Sequence, residues 1–181
     1  MSIALVGVVT SVIVVTIVIL GNGMVHDQGR EIAVAGQWGE PHKGLRCRIL
    51  AERPVLADGM IRLWLQMEFE NVSSDPVKIN LGGPPKQPPL FWFSELERDG
   101  RLIFESEGGD YDERWNGRAT IPPGQKARFR AAKLFKPPLY ASLYARGVLL
   151  RLKLHCYEAP DSGYGDILSG SISLPSAADI Q

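Results

Sequence analysis

The sequence has no excess of charge of either sign. Its 181 residues hold 20 Lys and Arg side chains against 20 Asp and Glu side chains, so the formal net charge is zero. Proteins that bind nucleic acids normally carry a basic excess that meets the phosphate backbone. We therefore expect no nucleic-acid partner. The length suits one domain with a hydrophobic core and a short additional segment.

Recognisable catalytic and metal-binding motifs are also absent. The sequence contains no H-E-x-x-H, no G-x-S-x-G and no phosphate-binding loop. Its two cysteines are not spaced as C-x-x-C, and its three histidines are scattered. His155 is next to Cys156, but adjacent residues of a strand point to opposite faces, so this histidine is badly placed to activate the thiol. We expect no enzymatic activity, no cofactor and no metal centre.

One long hydrophobic run is present, from Ile3 to Leu20, and it contains no charged residue. A helix of that length, rising about 1.5 Å per residue, would span roughly 27 Å, close to the hydrocarbon thickness of a bilayer. The run therefore predicts a single-pass membrane anchor. The flank after it is slightly acidic, which favours a C-terminal domain outside the cytoplasm.

The alternative is a cleaved signal peptide, which would leave a secreted or periplasmic protein. No Lys or Arg precedes the run, and the run is longer than the usual signal core. An A-x-A triplet at residues 33–35 lies too far downstream for an ordinary cleavage site. We predict four regions: an anchor or signal segment (1–23), a linker (24–37), a β-domain (38–176) and a tail (177–181).

After the linker, apolar residues alternate with polar ones at a period of two. The clearest case is the segment 60–71, MIRLWLQMEFEN, in which every odd-numbered residue from Ile61 to Phe69 is apolar. Strict alternation of this kind predicts a half-buried strand. Residues predicted to face the core are Leu45, Cys47, Ile49, Ile61, Leu63, Leu65, Met67, Phe69, Val77, Ile79, Leu81, Ala127, Phe129, Ala131, Leu150, Leu152, Leu154, Cys156, Ile167, Ile172 and Leu174. Gln66 and Lys153 are predicted to face outward.

The remaining local signals fit short strands joined by turns. Asp99-Gly100 predicts a hairpin with a primed turn. One short helix is predicted over residues 141–147. The apolar residues Leu139, Tyr140, Leu143 and Tyr144 have the spacing of a packing element over one end of the domain. Seven or eight strands without intervening helices predict an all-β, antiparallel sandwich or barrel.

Four motifs occur in an order that resembles bacterial extracytoplasmic immunoglobulin-like domains. They are WGEPHKGLRCRIL (38–50), N-x-S-x-x-P-V (71–77), IPPGQKARFR (121–130) and the final hairpin (147–175). The resemblance implies an immunoglobulin-like β-sandwich of about seven or eight strands, here preceded by the N-terminal hydrophobic transmembrane helix. The Cys…Trp…Cys spacing of antibody domains is missing, and the resemblance implies no functional residue.

The two cysteines fall on predicted inward faces, Cys47 in the first strand and Cys156 in a late one. In an exported domain they are candidates for a disulfide. The alternative is two buried thiols that pack as small hydrophobic side chains.

Two other groups are candidates for binding. Trp64 and Trp92 both fall on outward faces and predict an aromatic binding patch, unless a loop covers them. Asp110, Asp112 and Asn116 offer closely spaced oxygen ligands for Ca²⁺ in an acidic loop, for which the alternative is a solvated loop.

These observations predict a membrane-anchored, extracytoplasmic β-sandwich module without catalysis, attached through residues 3–20 and serving a binding or structural role. Its partner would be an unidentified protein or glycan. The alternative is a secreted peptidase-inhibitor-like domain or small enzyme that acts through its loops.

Overall fold

The computed structural model describes residues 31–81, 91–107, 118–154 and 167–177. Regular structure in these ranges is almost entirely antiparallel β-sheet, with one short helix, which confirms the predicted all-β class. Within the same ranges, no helix is long and apolar enough to cross a membrane, and the hydrophobic run 3–20 lies outside them.

The strands form two five-stranded sheets and one two-stranded sheet. They are β1 (Ile32–Ala35), β2 (Leu45–Glu52), β3 (Val55–Ala57), β4 (Met60–Asn71), β5 (Val77–Asn80), β6 (Phe91–Leu96), β7 (Leu102–Glu107), β8 (Arg118–Ile121), β9 (Lys126–Phe135), β10 (Leu149–Leu154), β11 (Ile167–Leu168) and β12 (Ile172–Ser173), and the helix is α1 (Pro137–Ala145). The β4 sheet has the order β1-β2-β4-β3, and β9 also pairs with β4. The β10 sheet has the order β11-β10-β6-β7, and β12 also pairs with β10. β5 pairs with β8.

Strand β4 is the centre of its sheet. Its residues 65–71 pair with β2 and its residues 61–70 pair with β9, both antiparallel. Its odd-numbered apolar residues are buried, as the alternation predicts. They share one core with the inward residues of the β10 sheet, including Leu150, Leu152 and Leu154. Of the predicted inward residues in the described ranges, only Val77 is half-buried instead of buried.

The hairpin between β6 and β7 is present, but its turn differs from the prediction. Gly100 has φ +82°, whereas Asp99 does not adopt a positive φ. The Gly100 N–H donates to the Glu97 carbonyl, and the Glu97 N–H donates to the Arg101 carbonyl. This is the three-residue loop in which a type I turn is followed by a left-handed glycine, so one glycine is sufficient and no primed turn forms.

The described ranges contain twelve strands instead of the predicted seven or eight, because the short strands β1, β3 and β8 show no clear alternation and the last predicted strand is divided into β11 and β12. The helix covers residues 137–145 instead of 141–147. Residues 32–35, placed in the linker by the sequence, form β1 and pair with β2. The helix begins at Pro137, where the fixed φ of proline suits the first turn. Only part of the predicted packing element is buried: Tyr140 and Leu143 enter the core, while Leu139 and Tyr144 are exposed.

Candidate binding surface on the β4 sheet

The outer face of the β4 sheet carries cations and carboxylates in regular rows. Even-numbered residues of β4 point away from the core and lie beside even-numbered residues of β2 and β9. Two adjacent rows read Arg46, Glu70, Lys126 and Arg48, Glu68, Arg128. In each row a carboxylate on the central strand lies between cations on both neighbours. We call these six residues the cation cluster.

Glu68 is the most enclosed acid of the cation cluster, with none of its side chain exposed. Its carboxylate lies 2.7 Å from Arg48 and 3.6 Å from Lys126, and it accepts a hydrogen bond from the Nε of Arg128. Burial acts to raise the pKa of Glu68. Hydrogen bonds from Arg128 and Arg48, together with their positive charges, outweigh burial and lower the pKa below its ordinary value of 4.5. The carboxylate is therefore ionised at neutral pH.

Trp38 lies across the cation cluster. Its ring centroid is 4.8 Å from the guanidinium carbon of Arg46, 4.6 Å from that of Arg48 and 5.1 Å from the Lys126 ammonium. Contacts of this kind with the face of an indole ring are attractive. Contact with cations from both β2 and β9 places the indole over the central strand, where it limits the access of water to Glu68.

Two glycines explain how the chain brings Trp38 to this position. A side chain at Gly39 would place its Cβ 1.9 Å from the Leu168 carbonyl oxygen, so only glycine allows this close approach. Gly44 has φ +78°, and a Cβ there would lie 2.4 Å from that of Ser73. The two glycines of the W-G-x-x-x-x-G part of the first motif are therefore explained by close packing on either side of the segment that carries Trp38.

The cation cluster keeps a surplus of positive charge at the surface. It contains four cations and two carboxylates, and 50% of the Arg128 side chain and 45% of the Lys126 side chain are exposed. Over the whole outer face of β2, β4 and β9 there are six cations and three carboxylates: Arg46, Arg48, Arg62, Lys126, Arg128 and Arg130 against Glu52, Glu68 and Glu70. Sequence reasoning missed this surface because the net charge of the chain is zero. The signal was present as charges at alternate positions of three strands.

A second polar group occupies the middle of the same face. Gln66 faces away from the core as predicted, yet only 6% of it is exposed. It donates to Glu52 over 3.2 Å, and the Nε of Arg130 donates to the same carboxylate over 2.7 Å. The Arg130 guanidinium carbon is also 3.7 Å from the centroid of the Trp64 ring. Gln66 is therefore not a surface residue, because long side chains from neighbouring strands cover it.

Trp64 and Trp92 do not form one aromatic patch. Leu63 and Leu65, the neighbours of Trp64, point into the core, so Trp64 lies on the outer face of the β4 sheet. Phe93 points into the same core from the β10 sheet, so Trp92 lies on the outer face of that sheet. The two outer faces point in opposite directions. Both rings are half-buried, and Trp64 lies beneath Arg130.

The other predicted sites remain predictions. Cys47 is buried on the inner face of β2, as expected, but its predicted partner Cys156 lies outside the described residues. The predicted calcium ligands Asp110, Asp112 and Asn116 also lie outside them. Among the residues that the structure does describe, no group of three His, Cys, Asp or Glu side chains is arranged to hold a metal ion.

Comparison with known proteins gives no functional assignment. No protein-family model matches the sequence, and no curated protein resembles it significantly. An X-ray structure of a Northeast Structural Genomics Consortium target aligns with 78% of this chain and 94% of its own, at 8% identity and a TM-score of 0.47. A crystal structure of a conserved hypothetical protein from Bacillus anthracis aligns with 74% of this chain and 95% of its own, at 10% identity and a TM-score of 0.34. Neither is described with a ligand or an activity.

Proposed function

We propose that this chain is a membrane-tethered, non-enzymatic binding module of the immunoglobulin-like β-sandwich type, located outside the cytoplasm. Its cation cluster binds an anionic partner, a protein segment or a glycan rich in carboxylates. Two antiparallel sheets around one core support the sandwich type. The uncharged run at 3–20 supports the tether.

The observation that carries the binding proposal is the local surplus of cations in a chain without net charge. Glu68 is already enclosed by Arg48, Lys126 and Arg128, so their ion pairs hold the cationic groups in fixed positions. Positions fixed before binding reduce the entropy that a ligand must overcome. The exposed parts of Lys126 and Arg128 leave room for a second carboxylate. A cationic surface of this kind also accelerates encounters with anionic partners.

The tether is tested by extraction of membranes with alkaline carbonate. We expect the full chain to stay in the membrane pellet, because the hydrophobic run is long enough to cross the bilayer. A soluble chain that begins downstream of residue 20 would show that the run is a cleaved signal instead.

The binding surface is tested by titrating the full chain, held in discs of zwitterionic lipid, with poly-glutamate. Lys126→Gln should weaken binding about two- to fivefold, because one exposed cation contributes roughly 1 kcal/mol or less. Binding should also weaken as salt rises. Lys78→Gln is the matched control, since Lys78 is also exposed but lies on β5. Equal affinities for the two variants would exclude the cation cluster as the binding surface.

A further inference from the structure

One end of the β4 sheet carries apolar side chains on its outer face. Val55 pairs with Arg62, and Arg62 pairs with Leu134, so these three residues form a cross-strand row. Val55 is 45% exposed and Leu134 is 39% exposed. Arg62 itself is half-buried, and its guanidinium carbon lies 6.0 Å from the centroid of the Trp64 ring. Surfaces that bind the membrane interface combine apolar side chains, which contact acyl chains, with cations, which contact lipid phosphates. This row has the same composition.

Two further exposed apolar residues lie at the same end. Leu56 pairs with Ile61 at the start of β4, on the opposite face of β3 from Val55, and is 47% exposed. Phe135, the last residue of β9, also pairs with Ile61, and α1 begins two positions later with Leu139 51% exposed. Three elements therefore present four exposed apolar side chains at one end of the domain, where exposed apolar groups are a sign of an interaction site. We call this the apolar end: Val55, Leu56, Leu134 and Leu139.

The N-terminal segment joins the domain close to the apolar end. Ile32, the first residue of β1, pairs with Glu52, the last residue of β2. Ala51, the residue before Glu52, pairs with Leu65 of β4. The point where the chain enters the β4 sheet is therefore only a few residues along β4 from Arg62. Arg53 lies beside this point with 57% of its side chain exposed, in an ion pair with Glu31.

We propose that the apolar end lies on the surface of the membrane that holds residues 3–20, with its apolar side chains at the boundary between headgroups and acyl chains. Arg53 and Arg62 would then lie near lipid phosphates. This inference rests on the tether of the proposed function and adds the orientation of the domain. Residues 21–31 separate the run from β1, and a chain of this length spans at most about 40 Å. The tether thus holds a weakly binding surface at a high local concentration of lipid.

This orientation places the cation cluster away from the bilayer. Arg62 and Glu70 are eight residues apart on β4, a distance of roughly 27 Å at about 3.4 Å per residue. A soluble or surface-bound anionic partner would then reach the cation cluster without competing with lipid.

Photo-crosslinking of the full chain in discs that contain anionic phosphatidylglycerol tests the orientation. The photoreactive residue p-benzoylphenylalanine replaces Val55 in one variant and Val72 in the matched control. Val72 is the same residue type, is also 45% exposed, and lies at the opposite end of β4. We expect several-fold more lipid adduct, measured by mass spectrometry, from position 55. Leu139→p-benzoylphenylalanine should give the same result as position 55 from a separate element.

The outcomes distinguish this inference from the tether on which it rests. Equal yields from positions 55 and 72, in chains that resist carbonate extraction, would overturn the orientation and leave the tether standing. Chains that carbonate removes from the membrane would overturn both.

Discussion

The side-chain amide of Asn71 donates a hydrogen bond over 2.8 Å to the backbone carbonyl of Ile121, a residue 50 positions further along the chain. The same amide donates to the Asp75 carbonyl, and the Asn71 Oδ1 accepts hydrogen bonds from the backbone N–H and the hydroxyl of Ser73. Asn71 is fully buried. It therefore joins the end of β4, the following turn and the end of β8, and it gives the N-x-S-x-x-P motif a structural explanation.

We expect Asn71→Ala to lower the free energy of unfolding by about 2 to 4 kcal/mol, because it leaves buried backbone groups without partners. Ser74→Ala, in the same turn but exposed, should change it by about 0.5 kcal/mol or less. Denaturant unfolding of each variant measures the difference. Equal effects would show that the Asn71 side chain does not organise the turn.

Glu68 makes a testable contribution to the pH dependence of stability. Burial would raise its pKa, but hydrogen bonds and charges from Arg128 and Arg48 bring the pKa below 4.5. A folded-state pKa below the unfolded-state value stabilises the fold above the unfolded pKa, and this stabilisation is lost as pH falls through the folded pKa. Glu68→Gln should therefore cost about 1 to 3 kcal/mol at neutral pH, and the difference from the wild type should shrink below about pH 4.

Glu40→Gln is the control for this prediction, since it removes one carboxylate from an exposed position. Unfolding curves at several pH values between neutral and acidic provide the measurement. A Glu68→Gln difference that stays constant across this range would contradict the role of the ionised carboxylate.

Alternation in the sequence predicts the inward faces, because burial of one face affects every second residue of a strand. It does not predict which strands lie side by side. The burial of Gln66 shows this limit: Glu52 and Arg130, which cover it, come from β2 and β9. Alternation also fails for β1, where four residues are too few for a period to appear and two of them are alanines.

The candidate binding surface could not be predicted for the same reason: the sequence does not show which strands lie side by side. The cations of β2 and β9 surround the carboxylates of β4 only after the three strands are aligned in register. Trp38 lies before these strands in the sequence and is not part of an alternating pattern. Its position over Arg46 and Arg48 depends on the close approach of Gly39 to Leu168, which is a tertiary contact.

The disulfide between Cys47 and Cys156 remains a prediction with a direct test. If the domain is exported, we expect Cys47, which is buried on the inner face of β2, to pair with Cys156. Closing a loop of that length would stabilise the fold by about 4 to 5 kcal/mol in the chain-entropy model. Intact mass after alkylation under denaturing, non-reducing conditions should show no alkylated cysteine. Two alkylated cysteines would exclude the bridge.

The alternation in β10 predicts opposite effects for neighbouring residues. Leu152 is completely buried in the core, whereas Lys153 is half-buried and faces outward. Leu152→Ala should cost about 2 to 5 kcal/mol because it leaves a cavity. Lys153→Ala should cost about 0.5 kcal/mol or less. Denaturant unfolding of the two variants compares them, and similar losses would mean that this strand does not divide the core from the surface.

Tyr140 attaches the helix to the C-terminal segment. Its ring is fully buried against Phe135, with ring centroids 5.3 Å apart, and its hydroxyl donates to the Pro175 carbonyl over 2.7 Å. Burial, followed by a smaller effect from Tyr144, raises the pKa of the Tyr140 hydroxyl above its ordinary value of 10.0. Stability from this hydroxyl is therefore present below about pH 10 and is lost at higher pH.

Tyr140→Phe should lower the free energy of unfolding by about 1 to 3 kcal/mol, because it removes the donor and leaves a buried carbonyl without its partner. Tyr144→Phe is the matched control: it is the same change on the same helix, at a residue that is 46% exposed, and it should have little effect. Denaturant unfolding near pH 7 provides the comparison. If Tyr140→Phe were no more destabilising than Tyr144→Phe, the hydrogen bond to Pro175 would not hold the C-terminal segment in place, and burial of the Tyr140 ring alone would account for the position of α1.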